Sequence, residues 1–377
     1  MSTEALYNRR EFLTFAHKRS KHPNRQSHFG KTNPRPFSSQ PGQSGIGFTK
    51  RELIIGSLVV VGGVAVGLSR PWEQFTPVET LESLVTEAKR MEDEYQNNNL
   101  SNKPVREKYA DILAGIFTFH NPGDLTRPQL KEAITFTDTL DQFVRERMAS
   151  DGRTGNPTLQ QLANERFTTA ATDNRQRKIT VNTASEAFKK QNVALMKNVP
   201  QNWNSLKMLR ISLLHEFNHL VIESEDEVIF SIIDPNNKIK DKRIEGFRII
   251  GIDKIGKLAV VFTDLHEAAI EFFAKKLSLA DFGSHLSNFQ SDVTGEDVTA
   301  LMGCLEQILG VIGMTYEELT KLHKKSNLRQ FLLTLSDKAG VSPNISLEDR
   351  IKFGSVIAGA IERNDQRILQ NYINQVK

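Results

Sequence analysis

The run Leu213-Leu214-His215-Glu216-Phe217-Asn218-His219-Leu220 constrains this chain more than any other stretch. It contains His-Glu-x-x-His, and its surroundings carry a helical period: Leu206, Leu209, Leu213, Phe217 and Leu220 recur at three- and four-residue steps. Asn204 or Ser205 stands where a helix cap is needed. On a helix, positions four apart share a face, so His215 and His219 are placed to offer two imidazoles to one metal ion. Glu216 lies beside them, in position to polarise a metal-bound water. The plainer reading is a buried helix that carries two histidines by chance, and a third ligand is what separates the two.

Charge divides the chain sharply. Of 49 Lys/Arg and 45 Asp/Glu in 377 residues, residues 1–51 hold ten basic side chains and two acids, Glu4 and Glu11. The leader therefore carries +8, and the remainder, with 39 basic against 43 acidic residues, carries −4. The basic character belongs to the leader, so nucleic-acid binding by the folded part is not expected. One cysteine, Cys304, excludes an internal disulfide; its apolar neighbours Leu301, Met302, Leu305 and Ile308 place it in a core.

Residues 1–50 read as a disordered basic leader, rich in Pro, Ser, Gln, Asn and Gly and without a sustained period. Asn8-Arg9-Arg10-Glu11-Phe12-Leu13 resembles a twin-arginine export motif, but its apolar stretch follows some forty residues too late. That stretch, Leu53 to Leu68 behind Lys50-Arg51, is apolar apart from Ser57. It reads as an uncleaved signal-anchor within residues 51–70, or as a cleavable signal with Ala65-Val66-Gly67 as the small-residue site. The positive flank puts the leader in the cytoplasm and the chain after about Arg70 outside, at a bacterial cell surface or in a periplasm, or secreted if the segment is cleaved.

Residues 71–153 read as a helical spacer or N-terminal lobe. The stripes are Leu81, Leu84, Val85, Ala88; then Tyr109, Ile112, Leu113, Ile116, Phe117; then Leu130 to Arg147. Residues 154–377 form the expected site domain. After the His-Glu-x-x-His helix, Val228–Ile233, Phe247–Ile252 and Leu258–Phe262 read as strands of a small β insertion. A second helix follows, Thr263-Asp264-Leu265-His266-Glu267-Ala268-Ala269-Ile270-Glu271-Phe272-Phe273-Ala274. Five further helical runs, Val298–Leu309, Tyr316–His323, Leu328–Ser336, Leu347–Ala360 and Ile361–Ile373, close the chain. The expected fold class is α+β and predominantly α-helical.

His-Glu-x-x-His followed by a helix with Leu-x-Glu-Ala-x-x-Glu-Phe-Phe-Ala resembles the gluzincin class of zinc metallopeptidases. The resemblance covers about residues 205–280 and implies a zincin-like domain. It implies that His215, His219 and Glu267 hold Zn2+, that Glu216 is the general base, and that Glu271 is an outer carboxylate fixing a ligand histidine. Zincins hold an extended substrate by an edge strand before the metal helix, and Lys178–Asn182 is the candidate here. The spacing departs from the pattern: 48 positions (267 − 219) separate the second histidine from the glutamate, where some twenty are usual. His266, and more weakly Asp264 or His285, stay open as the third ligand, and Glu267 has an alternative reading as a capping-box residue after Asp264. His285 and Tyr316 are candidates for stabilising a transition state. His323, amid Lys321, Lys324 and Lys325, reads as surface.

The expectation is a membrane-anchored metallopeptidase acting on protein or peptide outside the cytoplasmic membrane. The alternative is a non-catalytic extracytoplasmic domain that binds a metal or a partner. Glu216 favours the enzyme, as does a ligand set of three, because a structural site closes its shell with a fourth.

Overall fold

The computed structural model describes residues 79–95, 99–150, 152–189, 204–225, 240–252, 258–284 and 298–377. The leader, the apolar segment 53–68, the run 228–233 and His285 lie outside them. Among the described residues no single helix is long and apolar enough to cross a membrane. The chain is mostly helical with a small sheet portion, as the periodicity predicts.

Helices α1 (Leu81–Glu94) and α2 (Lys103–His120) open the described part. Thr80 and Ser83 cap α1 reciprocally, and Asn102 with Pro104 starts α2, so both begin where local chemistry directs. The third stripe is not one helix. Helix α3 (Arg127–Ala133) ends at Ile134, strand β1 (Ile134–Thr137) follows, and α4 (Leu140–Ser150) starts after it. The β-branched residues Ile134, Thr135 and Thr137 fit a strand, and parallel pairing with β3 (Lys178–Asn182) holds them there. After the short helix α5 (Leu159–Asn164), β2 (Ala170–Asp173) pairs antiparallel with β3 in the order β1-β3-β2. Lys178–Asn182 is therefore a strand, as expected, but the central one. The edge beside the His-Glu-x-x-His helix belongs to β2.

Helix α6 (Ser205–Leu220) carries the His-Glu-x-x-His run and starts where Asn204 accepts the N–H groups of Leu206 and Lys207. It is buried almost throughout, with Leu206, Leu209, Leu213 and Phe217 fully inside. One apolar cluster joins α1, α2 and the three-stranded sheet to this helix, so the expected spacer packs directly on it.

Four strands follow in sequential antiparallel order: β4 (Ser224–Glu225), β5 (Lys240–Glu245), β6 (Arg248–Ile252) and β7 (Leu258–Val261). This is the expected β insertion. Helix α7 (Thr263–Phe282) lies against α6, and α8 (Val298–Ile312), α9 (Tyr316–Lys324), α10 (Leu328–Lys338), α11 (Leu347–Glu362) and α12 (Gln366–Val376) form the helical end. Cys304 is buried there, and its thiol donates to Asn364 Oδ1 at 3.0 Å. A second apolar cluster collects these helices with the β5–β6 hairpin. Leu265, Ala269, Phe272 and Phe273 of α7 belong to it, whereas Ala274 and Leu277 belong to the first. The helix thus joins two cores, and its first half faces the end of α6.

Candidate metal centre

Three contacts define how α6 and α7 run past one another. Arg210 meets Ser278, His215 meets Glu271, and His219 meets Glu267. As one number rises the other falls, which is an antiparallel helix pair. This register explains why the 48-residue separation does no harm. Whatever intervenes, the two helices bring the same turns together.

The outcome is a cluster of three ligand atoms. His215 Nε2 lies 3.2 Å from Glu267 Oε2 and 3.2 Å from His219 Nε2, and His219 Nε2 lies 3.4 Å from the same carboxylate oxygen. A tetrahedral ion with bonds of about 2.0–2.1 Å requires ligand–ligand separations of roughly 3.3 Å, so this edge length suits zinc. Among the described residues these three form the converging group of His, Cys, Asp and Glu side chains. His215 and His219 are buried, whereas the Glu267 side chain is 25% exposed and marks the side open to solvent. The capping alternative for Glu267 does not apply, because Phe262 occupies the cap of α7, in a left-handed conformation.

Both imidazoles have their second nitrogen engaged, which leaves Nε2 for the ion. His215 Nδ1 lies 3.1 Å from Glu271 Oε2, whose side chain is fully buried, at the position where the resemblance expects an outer carboxylate. His219 Nδ1 lies 3.3 Å from His266 Nε2. His266 therefore stands behind His219 and outside the converging group. Its own Nδ1 lies 3.1 Å from His323 Nε2.

The imidazoles and carboxylates of the cluster shift one another strongly. Burial opposes charge on His215, but hydrogen bonds to Glu267 and Glu271 and the nearby Glu216 charge raise it to about 10. Burial likewise opposes charge on Glu267, and the imidazoles of His219 and His215 overcome it and hold the carboxylate well below its ordinary range. His266 and His323 go the other way. Burial, then Arg248 and the neighbouring imidazole, push His266 well below its ordinary value; burial, then His219, push His323 to about 3. Both are neutral rings.

Sequence reasoning missed three residues here. Thr172, on the edge strand β2, donates its hydroxyl to Glu216 Oε2 at 2.6 Å, with the Glu216 carbonyl at 3.3 Å. Arg248, at the start of β6, binds Glu245 Oε2 at 2.8 Å and brings its other terminal nitrogen to 3.8 Å from Glu267 Oε1. His323 is 1% exposed, not on the surface. Its signal was available, since Leu319 lies four residues before it on the apolar face of α9, away from the lysines. Thr172 and Arg248 left none, because nothing local ties them to a site. Tyr316 packs on the rings of Phe272 and Phe273, its hydroxyl pushed up to about 12 by burial, and none of its described contacts reaches the metal group. Asp264 is buried in the first turn of α7, next to Glu362.

Comparison with known protein families, curated proteins and solved structures finds no match to this chain.

Proposed function

We propose that this chain is a zinc-dependent metallopeptidase of the gluzincin type, with a zincin-like catalytic domain held outside the cytoplasmic membrane by residues 53–68. The observation that carries the reading is the convergence of His215, His219 and Glu267 at tetrahedral edge lengths, with Glu216 next to them in sequence and held by Thr172. The described residues offer three converging ligands, which suits a catalytic site with an open position better than a closed structural one.

His215, His219 and Glu267 would hold the zinc, which supplies Lewis acidity toward a water and a peptide carbonyl. Glu216 takes the proton from the attacking water and hands it to the leaving amine. Thr172, donating to one carboxylate oxygen, keeps the other directed to that task. Arg248 brings positive charge beside the centre, where negative charge develops on the substrate. Among the described residues β2 pairs only with β3, so its other edge is free to take an extended peptide by backbone pairing, next to the general base.

The test is zinc content by mass spectrometry together with turnover of labelled casein, on the full-length protein. Wild type is expected to hold one zinc per chain, Glu267→Ala to lose it, and Glu216→Gln to keep it while turnover falls by about 10²–10⁴. Absence of zinc in wild type, or full activity in Glu216→Gln, overturns the reading.

A further inference from the structure

The two ligand histidines are held from behind by different chemistry. His215 has a carboxylate, Glu271; His219 has a neutral imidazole, His266, and behind it a second one, His323. We propose that His266 and His323 form an outer relay that fixes His219 in its Nδ1–H tautomer, positions it as a ligand, and ties metal affinity to the seating of helix α9. The proposal rests on the metal reading of the site.

Proton bookkeeping runs in one direction only. A neutral imidazole carries one ring proton, so a histidine ligating through Nε2 carries it on Nδ1. His219 Nε2 faces His215 and Glu267, hence its Nδ1–H donates to His266 Nε2. That makes His266 Nε2 an acceptor and moves the His266 proton to Nδ1, where it donates to His323 Nε2. The reverse assignment, with a proton on His266 Nε2, makes His219 Nδ1 the acceptor and puts a proton on the nitrogen the metal needs. One tautomer set satisfies both contacts and leaves His219 Nε2 bare.

A neutral relay also has an electrostatic reason. Glu216, Glu267 and Glu271 already place three negative charges around the centre, one more than a divalent ion neutralises, and a fourth carboxylate behind His219 would widen that excess. An imidazole supplies the acceptor without the charge.

The fold around the relay is shaped to hold it. The tip of the β5–β6 hairpin, Gly246-Phe247, is buried against both rings, and a Cβ on Gly246 would stand 2.6 Å from His266 Nδ1 and 2.6 Å from His323 Nε2. Gly246 has φ +60°, and its N–H donates to Ser326 Oγ at 2.8 Å, just beyond the end of α9. Phe247 meets the His323 ring edge-on at 4.9 Å and stacks on Phe331 at 4.6 Å. His323 is thus seated by the hairpin and the C-terminal helices, elements that contribute no metal ligand.

The experiment compares His323→Gln, which keeps an acceptor oxygen, with His323→Leu, which has none, in the full-length protein. Zinc affinity is measured by competition with a chromophoric chelator, and ligand geometry by the visible absorption of the cobalt(II)-loaded form. His323→Leu is expected to weaken zinc by about 10- to 100-fold and shift the cobalt spectrum, with His323→Gln within about threefold of wild type. Equal affinities in all three, or equal losses in both variants, overturn the relay while leaving the metal site standing. A wild type that binds no zinc overturns the metal reading and the relay with it. Should His323→Leu fail to fold, ring ¹⁵N resonances of zinc-loaded wild type decide: His219 and His266 both protonated at Nδ1 support the relay, and a proton on His266 Nε2 overturns it.

Discussion

Helices α6 and α7 enclose two buried polar clusters, one near each end of their contact, and the two behave as opposites. In the first, Arg210 forms an ion pair with Glu92 at 2.8 Å, reaches Ser278 at 3.2 Å and lies over the Phe282 ring, while Tyr109 donates to Glu92. Opposite charges meet there, and each compensates the other. In the second, five residues along α6, imidazole nitrogens and a carboxylate oxygen point at a common centre. On the proposed reading these groups answer to a cation. Buried polarity thus pairs opposite charges at one end and gathers imidazoles and a carboxylate at the other. What separates them is whether the groups complete one another.

The sharpest way to break this contrast is to remove Arg210. Arg210→Ala leaves the Glu92 carboxylate buried without its partner, and stability is expected to fall by about 3–5 kcal/mol in chemical denaturation. Combining Arg210→Met with Glu92→Leu is expected to recover most of that loss, because an apolar pair needs no compensation. Recovery confined to the metal-loaded form would mean that the first cluster also serves the site.

Glu271 offers the matching cut at the other end. Glu271→Ala takes away the acceptor at His215 Nδ1, and zinc affinity is expected to drop by about 10- to 100-fold, measured against a competing chelator. An unchanged affinity would remove Glu271 from the site.

A smaller effect is expected at Thr172. Thr172→Val deletes the hydroxyl on Glu216, and turnover should fall by about tenfold with zinc content unchanged, consistent with one hydrogen bond to a charged group. Thr172→Ser is expected to restore it; failure of that rescue would assign the loss to packing.

The smallest effect concerns how α7 is started. Phe262 provides no side-chain cap, and the Glu362 carboxyl of α11 accepts the backbone N–H groups of Asp264 and Thr263 instead. Burial first, then the Asp264 charge, raise Glu362 from 4.5 to about 7. The fold therefore binds this proton more tightly than the unfolded chain does. Its contribution to stability is present below pH 4.5 and lost as pH rises through about 7. Glu362→Gln, which keeps the acceptor without the charge, is expected to stabilise by about 1 kcal/mol at pH 8 and by nothing at pH 4. Thermal melts at the two pH values check this, and equal gains at both would be against it.

Local physics made part of this molecule legible. A helix sets its own four-residue geometry, so His215 with His219, and Glu267 with Glu271, could be placed on shared faces before any tertiary contact was known. The apolar period of the last five helices was equally local; four of them keep their expected starts, whereas the last begins at Gln366 rather than Ile361, which belongs to the helix before it. Lys178–Asn182 was legible as a strand by composition, but its place in the sheet depends on Ile134–Thr137, more than forty residues earlier, and a strand carries no local mark of how many neighbours it will have. The same holds for the site. Only the antiparallel seating of α7 on α6 decided that Glu267 converges on the metal group while His266 stands behind it, since adjacent residues on a helix point about 100° apart and the packing angle chooses between them. Thr172, Arg248 and His323 arrive from a strand, a hairpin and a distant helix. Sequence alone determined most of the helices and the imidazole and carboxylate spacing they carry, within a few turns. Tertiary structure decided which of those side chains meet, because burial and register act between segments that are remote along the chain.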